Sequence, residues 1–173
     1  MLGQGRIIVN TGDGKGKTTA AFGTVFRAAG HGQRIAVVQF IKGEWSYGEV
    51  RAAERFPNIE VTRIGAGFTW LVEDPEESRR LAREAWSKCV QLVESDDLDL
   101  LVMDEVNCAI AEGFVTSEEV VHVLLGKPAR LSVIITGRDA RAEIIDVADT
   151  VTEMRCVKHA FAQEVPGRRG IEY

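Results

Sequence analysis

The stretch Thr11, Gly12, Asp13, Gly14, Lys15, Gly16, Lys17, Thr18, Thr19 follows the apolar run IIVN and holds residue types suited to binding a phosphate chain. Glycines at 12, 14 and 16 let the backbone take positive φ and turn several N–H groups inward, a concave site for oxyanions. Lys17 supplies a point charge for the terminal phosphates and Thr18 a hydroxyl for Mg2+. A helix beginning here would add free N–H groups and the positive end of its dipole. The common loop pattern, G-x-x-x-x-G-K-[ST], would place glycine at position 11, where this chain has Thr11, with the glycine displaced to Gly12. A plain flexible turn would account for the glycines but not for Gly-Lys-Thr at the entrance of a helix, so nucleotide phosphate binding is the reading adopted.

A second group of candidates completes that chemistry. LDLLVMDE, residues 98 to 105, is an apolar run ending in adjacent carboxylates. Asp104 and Glu105 can complete a Mg2+ site opposite Thr18, directly or through water, and Glu105 could instead orient or deprotonate a water. An isolated pair of this kind would be a solvated strand end. LSVIITGR, residues 131 to 138, carries Thr136 and Arg138 to its polar exit. Arg138 could contact phosphate or a negatively charged substrate edge, with a surface ion pair as the alternative. Two further exits hold large rings: IKGEWSYGE, with Lys42, Trp45 and Tyr47, and GAGFTW, with Phe68 and Trp70. The first group belongs on the phosphate rim of a parallel sheet or in a surface loop. Phe68 and Trp70, two apart in an extended segment, point the same way; taken alone, the pair reads as capping the core.

These residues need elements to hold them at one rim. Phe22, Val25, Phe26 and Ala29 recur at helical spacing, so residues 17 to 29 form a helix stopped by Gly30. RIAVVQF (34 to 40) has the β-branched continuity of a strand buried on both faces, and IEVTRI (59 to 64) is a third strand. Asp74, Pro75 and Glu77 open a helix that runs to about residue 94, with Ala82, Ala85, Trp86, Cys89 and Val93 on its core face. Thr116 and Glu119 cap another helix, ended near Gly126 and Pro128, whose Val120, Val121, Val123 and Leu124 are largely core and whose His122 reads as structural. Residues 139 to 148 read as a short helix and TVTEMRCV (150 to 157) as the last strand. Lys158, His159 and the tail to Tyr173 form either a mobile flap or a disordered terminus. Alternating strands and helices predict an α/β fold with a mainly parallel sheet.

Composition narrows the partners. The 173 residues, without a Pro- or Ser-rich linker, predict one domain, residues 1–173. Twenty-one Lys plus Arg against 26 Asp plus Glu leave no basic footprint for nucleic acid. Cys89, Cys108 and Cys156 match no metal-ligand spacing and read as buried reduced thiols in a cytoplasmic protein. No secretion leader precedes the first strand, and no apolar run approaches the ~18 residues of a membrane span, so no membrane partner is expected.

The ordered blocks TGDGKGKTTAAFGTVFRAAGHGQRIAVVQFIKGEW, GAGFTW, VMDEVNCAI, VIITGRDA and ADTVTEMRCVKHAF cover most of the chain and together resemble the ATP:corrinoid adenosyltransferases of the phosphate-loop type. The resemblance implies a RecA-like phosphate-loop NTPase fold, with helices on both faces of the sheet. It implies transfer of the 5′-deoxyadenosyl group of ATP to Co(I) of a corrinoid, with release of triphosphate. Lys17, Thr18 and Glu105 would be the catalytic residues, Thr11 to Thr19 and Arg138 would bind ATP, and Thr18, Asp104 and Glu105 would hold Mg2+. Trp45, Phe68 and Trp70 would bind the corrinoid, which replaces the core reading of the last two rings. Family members are similar in being commonly homodimeric, and a flavoprotein-type electron donor would reduce the cobalt. Many members carry an additional N-terminal stretch that helps cover the site; here the first strand begins almost at once, so cover is expected from elsewhere. Two other functions fit the residues without the resemblance: a phosphate-loop ATPase or small-molecule kinase using Glu105 as base, and a non-catalytic nucleotide-binding regulator.

Overall fold

A computed structural model describes residues 3–40, 47–65 and 75–172. Six strands, β1 (Ile7–Thr11), β2 (Ile35–Gln39), β3 (Ile59–Arg63), β4 (Leu100–Asp104), β5 (Ser132–Thr136) and β6 (Thr150–Glu153), form one sheet in the order β3-β2-β4-β5-β1-β6. Every pairing is parallel, so all six carboxyl ends share one rim. The phosphate-loop strand β1 and the carboxylate strand β4 are not neighbours: β5 lies between them. This α/β architecture agrees with the expected RecA-like phosphate-loop fold.

Side-chain alternation along the strands builds two cores. Ile35, Val37, Leu100, Val102 and Ile134 face α1 (Lys17–Gly30) and Ala53 of α2 (Gly48–Ala53). Ala36, Val38, Leu101, Met103, Val133 and Ile135 face the other way. They pack on α3 (Pro75–Glu94), α4 (Val106–Ala111), α5 (Ser117–Gly126) and α6 (Ala142–Asp146). The interior strands are apolar at successive positions because both faces are covered, as the β-branched runs require. Helix α1 ends where the N–H groups of His31 and Gly32 return to Ala28 and Ala29 carbonyls, with Gly32 at φ +72°. At the start of α5 the capping box is formed in full: Glu119 N–H donates to Thr116 Oγ1, and Thr116 N–H to Glu119 Oε2.

Several expectations need correction. The last strand ends at Glu153, not at residue 157; just beyond it Met154 bonds Thr11 and Gly14 of the phosphate loop. Helices α2 and α4 carry no sequence signal long enough to stand out, each being six residues. Of the three cysteines only Cys89 is buried; Cys108 is half-buried and Cys156 exposed. His122 lies on the solvent side of α5, whereas Val121 and Val123, half-buried, pack against the core beside Val120 and Leu124 as expected. The tail has local order: a 3-10 turn at Ala160–Gln163 and a turn in which Arg168 N–H bonds Glu172 Oε2. Lys42, Trp45, Phe68, Trp70 and the cap residue Asp74 lie outside the described residues. Among the described residues no helix is long and apolar enough to cross a membrane.

Candidate nucleotide and metal site

The loop from β1 to α1 turns on two glycines in the left-handed region, Gly12 at φ +91° and Gly16 at φ +118°. Gly16 stands at the N-cap of α1, so the helix starts with its free N–H groups at the rim. The Lys17 side chain folds into the loop, its Nζ donating to the carbonyls of Gly12 (2.7 Å) and Gly14 (2.8 Å). It is a buried cation whose partners here are neutral carbonyls, and a triphosphate offers it charged acceptors.

Not every inward group expected of the loop is free for phosphate. Gly14 N–H donates to Met154 O at 2.6 Å, and Met154 N–H returns to Thr11 O at 2.8 Å. The β6 exit therefore braces the loop from the side. A Cβ on Gly14 would fall 2.7 Å from Met154 O, so close backbone approach is what this glycine permits. Thr11 Oγ1 accepts from Ala140 N–H at 3.2 Å, tying the loop to the segment after β5. Asp13 and Thr19 are exposed, and exposed Lys15 reaches Glu172 of the tail at 4.0 Å.

At the carboxyl end of β4, Asp104 is fully buried. Its Oδ1 accepts from Thr18 Oγ1 at 2.9 Å and from Thr136 Oγ1 at 2.7 Å, and its Oδ2 from Gln39 Nε2 at 2.8 Å. The structure thus brings Lys17, Thr18 and Asp104 together from elements far apart in the chain. Thr18 and Asp104 offer hydroxyl and carboxylate oxygens, hard donors suited to Mg2+. Among the described residues no group of three or more His, Cys, Asp or Glu gathers into a cage. The hydroxyl and carboxylate donors fit Mg2+, and an ion held by these two would take its remaining ligands from phosphate and water.

Glu105 follows in a left-handed conformation, φ +66°, which costs a non-glycine residue roughly 1–3 kcal/mol. Its N–H donates to Thr136 Oγ1 at 2.9 Å, and its Oε2 accepts from the Cys108 thiol at 2.8 Å. Burial first, then the charge of Glu105 and the hydrogen bond to it, push the Cys108 thiol up from 9.0 to about 12, partly offset by a hydrogen bond from the Arg138 backbone. The thiol therefore stays protonated and keeps donating to Glu105. The Arg138 side chain is exposed on the loop after β5.

Gln39, Asn107 and Met154 have no place in the site read from the sequence, and Cys108 enters it only as a buried reduced thiol. Asn107 Nδ2 donates to Gly137 O at 3.3 Å, and its Oδ1, like Gln39 Oε1, is buried without a partner. Gln39 did leave a signal: it is a polar residue near the end of the apolar run RIAVVQF, in register with Asp104.

Comparison with known proteins finds relatives over nearly the whole chain. Residues 3–173 match the family described as "ATP:corrinoid adenosyltransferase BtuR/CobO/CobP". The corrinoid adenosyltransferase of Escherichia coli (strain K12) is 44% identical over 170 residues, which cover 98% of this chain and 86% of the relative. That of Pseudomonas aeruginosa is 42% identical over 171 residues, 98% and 84% of the two chains. The corrinoid adenosyltransferase CobA of Salmonella typhimurium is 44% identical over 170 residues, again 98% and 86%. With a phosphate loop bonded to a buried strand-end carboxylate and a match spanning nearly its whole length, this chain belongs to the ATP:corrinoid adenosyltransferase family.

Proposed function

We propose that the chain acts in the cytoplasm as an ATP-dependent corrinoid adenosyltransferase, moving the 5′-deoxyadenosyl group of ATP onto Co(I) of a corrinoid and releasing inorganic triphosphate. The observation that carries this reading is the Thr18–Asp104 hydrogen bond, which joins the phosphate loop to the β4 carboxylate in a chain matching the family over residues 3–173. Co(I) is the nucleophile, so no side chain need supply one. Its electron pair forms the Co–C5′ bond while the C5′–O5′ pair leaves with the triphosphate, and cobalt passes formally from +1 to +3.

The protein's part is to hold the leaving group. Lys17 releases two backbone carbonyls to meet the triphosphate, and the N-terminal N–H groups of α1 face the same charge. Thr18 and Asp104 would hold Mg2+, with Glu105 beside them, and the bound ion supplies counter-charge to the leaving triphosphate. Trp45 helps bind the corrinoid, while Phe68 and Trp70 pack under the corrin, exclude water and displace cobalt's lower axial ligand, which makes Co(II) easier to reduce. Homodimeric assembly and a flavoprotein-type electron donor follow from the resemblance; sedimentation and coupling to a reductase read them out.

Product analysis tests the reaction. With ATP and chemically reduced corrinoid, the expected products are an adenosylated corrinoid and triphosphate in equal amounts, with none formed when the corrinoid is omitted. ADP and phosphate as stoichiometric products would transfer the case to an ATPase or kinase with Glu105 as base.

A further inference from the structure

Three neighbouring strands end at the rim in polar residues that meet each other. The register of β2 on β4 sets Gln39 directly beside Asp104, and β5 brings Thr136 to the opposite side. Both Gln39 and Asp104 are fully buried. Gln39 spends its amide N–H on Asp104 Oδ2 at 2.8 Å, while its Oε1 has no hydrogen-bond partner. A buried acceptor left without a hydrogen bond is costly, because it has given up water for nothing. Flipping the amide would not relieve it, because the carbonyl would then face the carboxylate. The orientation of Gln39 is therefore dictated by Asp104, at the expense of its own oxygen.

We propose that Gln39 is a positioning residue of the nucleotide site: by anchoring Asp104 Oδ2 it keeps Oδ1 on Thr18, and its spare carbonyl accepts from a water that enters with Mg2+ and the triphosphate. This rests on the reading that Thr18 and Asp104 hold the ion. Without Gln39 the carboxylate loses the hydrogen bond on Oδ2 that opposes those from Thr18 and Thr136 on Oδ1, and its alignment on the loop hydroxyl weakens. An orphan acceptor in the ligand-free protein then acquires its partner on binding, so its cost is relieved in the complex that matters.

The test compares ATP affinity by titration calorimetry with Mg2+ and with EDTA, alongside the melting temperature of the ligand-free protein. Gln39→Met keeps the side-chain length and removes both amide atoms; Gln39→Asn keeps a buried amide but falls one methylene short of Asp104. A hydrogen bond to a charged group is worth roughly ten- to a hundredfold in affinity. In both variants the Mg2+-dependent gain in ATP affinity is expected to fall by about tenfold or more, with affinity in EDTA nearly unchanged. Equal losses with Mg2+ and EDTA that follow a lowered melting temperature would overturn the proposal, leaving Gln39 as a structural tie between β2 and β4. An undiminished Mg2+-dependent gain would overturn it as well. If the unaltered protein shows no such gain, the failure belongs to the metal reading of Thr18 and Asp104, and the proposal falls with it.

Discussion

Lys17 and Thr18 are adjacent in the chain but would meet a triphosphate by different means. Lys17 brings a buried positive charge, held meanwhile by two loop carbonyls. Thr18 brings a hydroxyl already aligned on Asp104. Removing either would take away a contact that offsets the charge of the leaving triphosphate, and one lost stabilising group of this kind costs about 10²–10³ in rate. Lys17→Ala and Thr18→Ala are each expected to lower kcat/KM for ATP by about that factor, with a circular dichroism spectrum like that of the unaltered protein. Near-normal kinetics in both would remove the phosphate-loop assignment. Glu105 is constrained differently, by a strained backbone and the Cys108 thiol, which its pKa of about 12 keeps protonated at neutral pH.

The loop between β1 and α1 is supported by an element that does not adjoin it in sequence. Backbone hydrogen bonds from Gly14 to Met154 and from Met154 to Thr11 continue the β1–β6 pairing past the end of the strand. The loop is thereby shaped before ATP arrives, which lowers the ordering cost of binding. Gly14→Ala should separate this brace from general helix or loop effects, since the added methyl meets Met154 O at 2.7 Å. It is expected to destabilise the fold by about 1–3 kcal/mol and to weaken ATP binding. Gly23, inside α1 with nothing near its missing Cβ, is the control. Gly23→Ala should stabilise by roughly 0.5–1 kcal/mol through helix propensity alone. Denaturant melts of the two variants check the pair, and a stable, ATP-binding Gly14→Ala protein would show that the brace is dispensable.

At the scale of the molecule, the all-parallel sheet places every strand exit on one rim, so one edge can serve both substrates. On the proposed reading the loop and carboxylate hold the nucleotide, and Phe68 and Trp70, which follow β3 in the sequence, meet the corrinoid. If those rings act by enclosing the corrin and removing cobalt's lower ligand, their bulk matters for reaching Co(I) and much less for the later attack on C5′. Phe68→Ala and Trp70→Ala are therefore expected to lose most activity when a protein reductant must reduce bound Co(II), yet to keep substantial activity with prereduced Co(I). Equal losses in the two assays, tracking a lowered melting temperature, would return both rings to a packing role.

What could be read from the chain alone was whatever depends on neighbours in sequence. The phosphate loop, the Thr116–Glu119 capping box and the apolar strands are local, because positive φ at glycine, a side chain reaching three residues on and burial on both faces of a strand are properties of short segments. Asp104 and Glu105 stood out because charge at the end of an apolar run is itself a local pattern. The tertiary structure decided which distant groups complete the site. Gln39 and Thr136 lie 65 and 32 residues from Asp104, and only the β2-β4-β5 order and register bring all three to one point. The same holds for Met154, whose exit from β6 reaches the loop because β6 pairs with β1 at the sheet edge. Register follows from the joint burial of two cores on opposite faces of the sheet, a property of the packed whole that no short window of sequence contains.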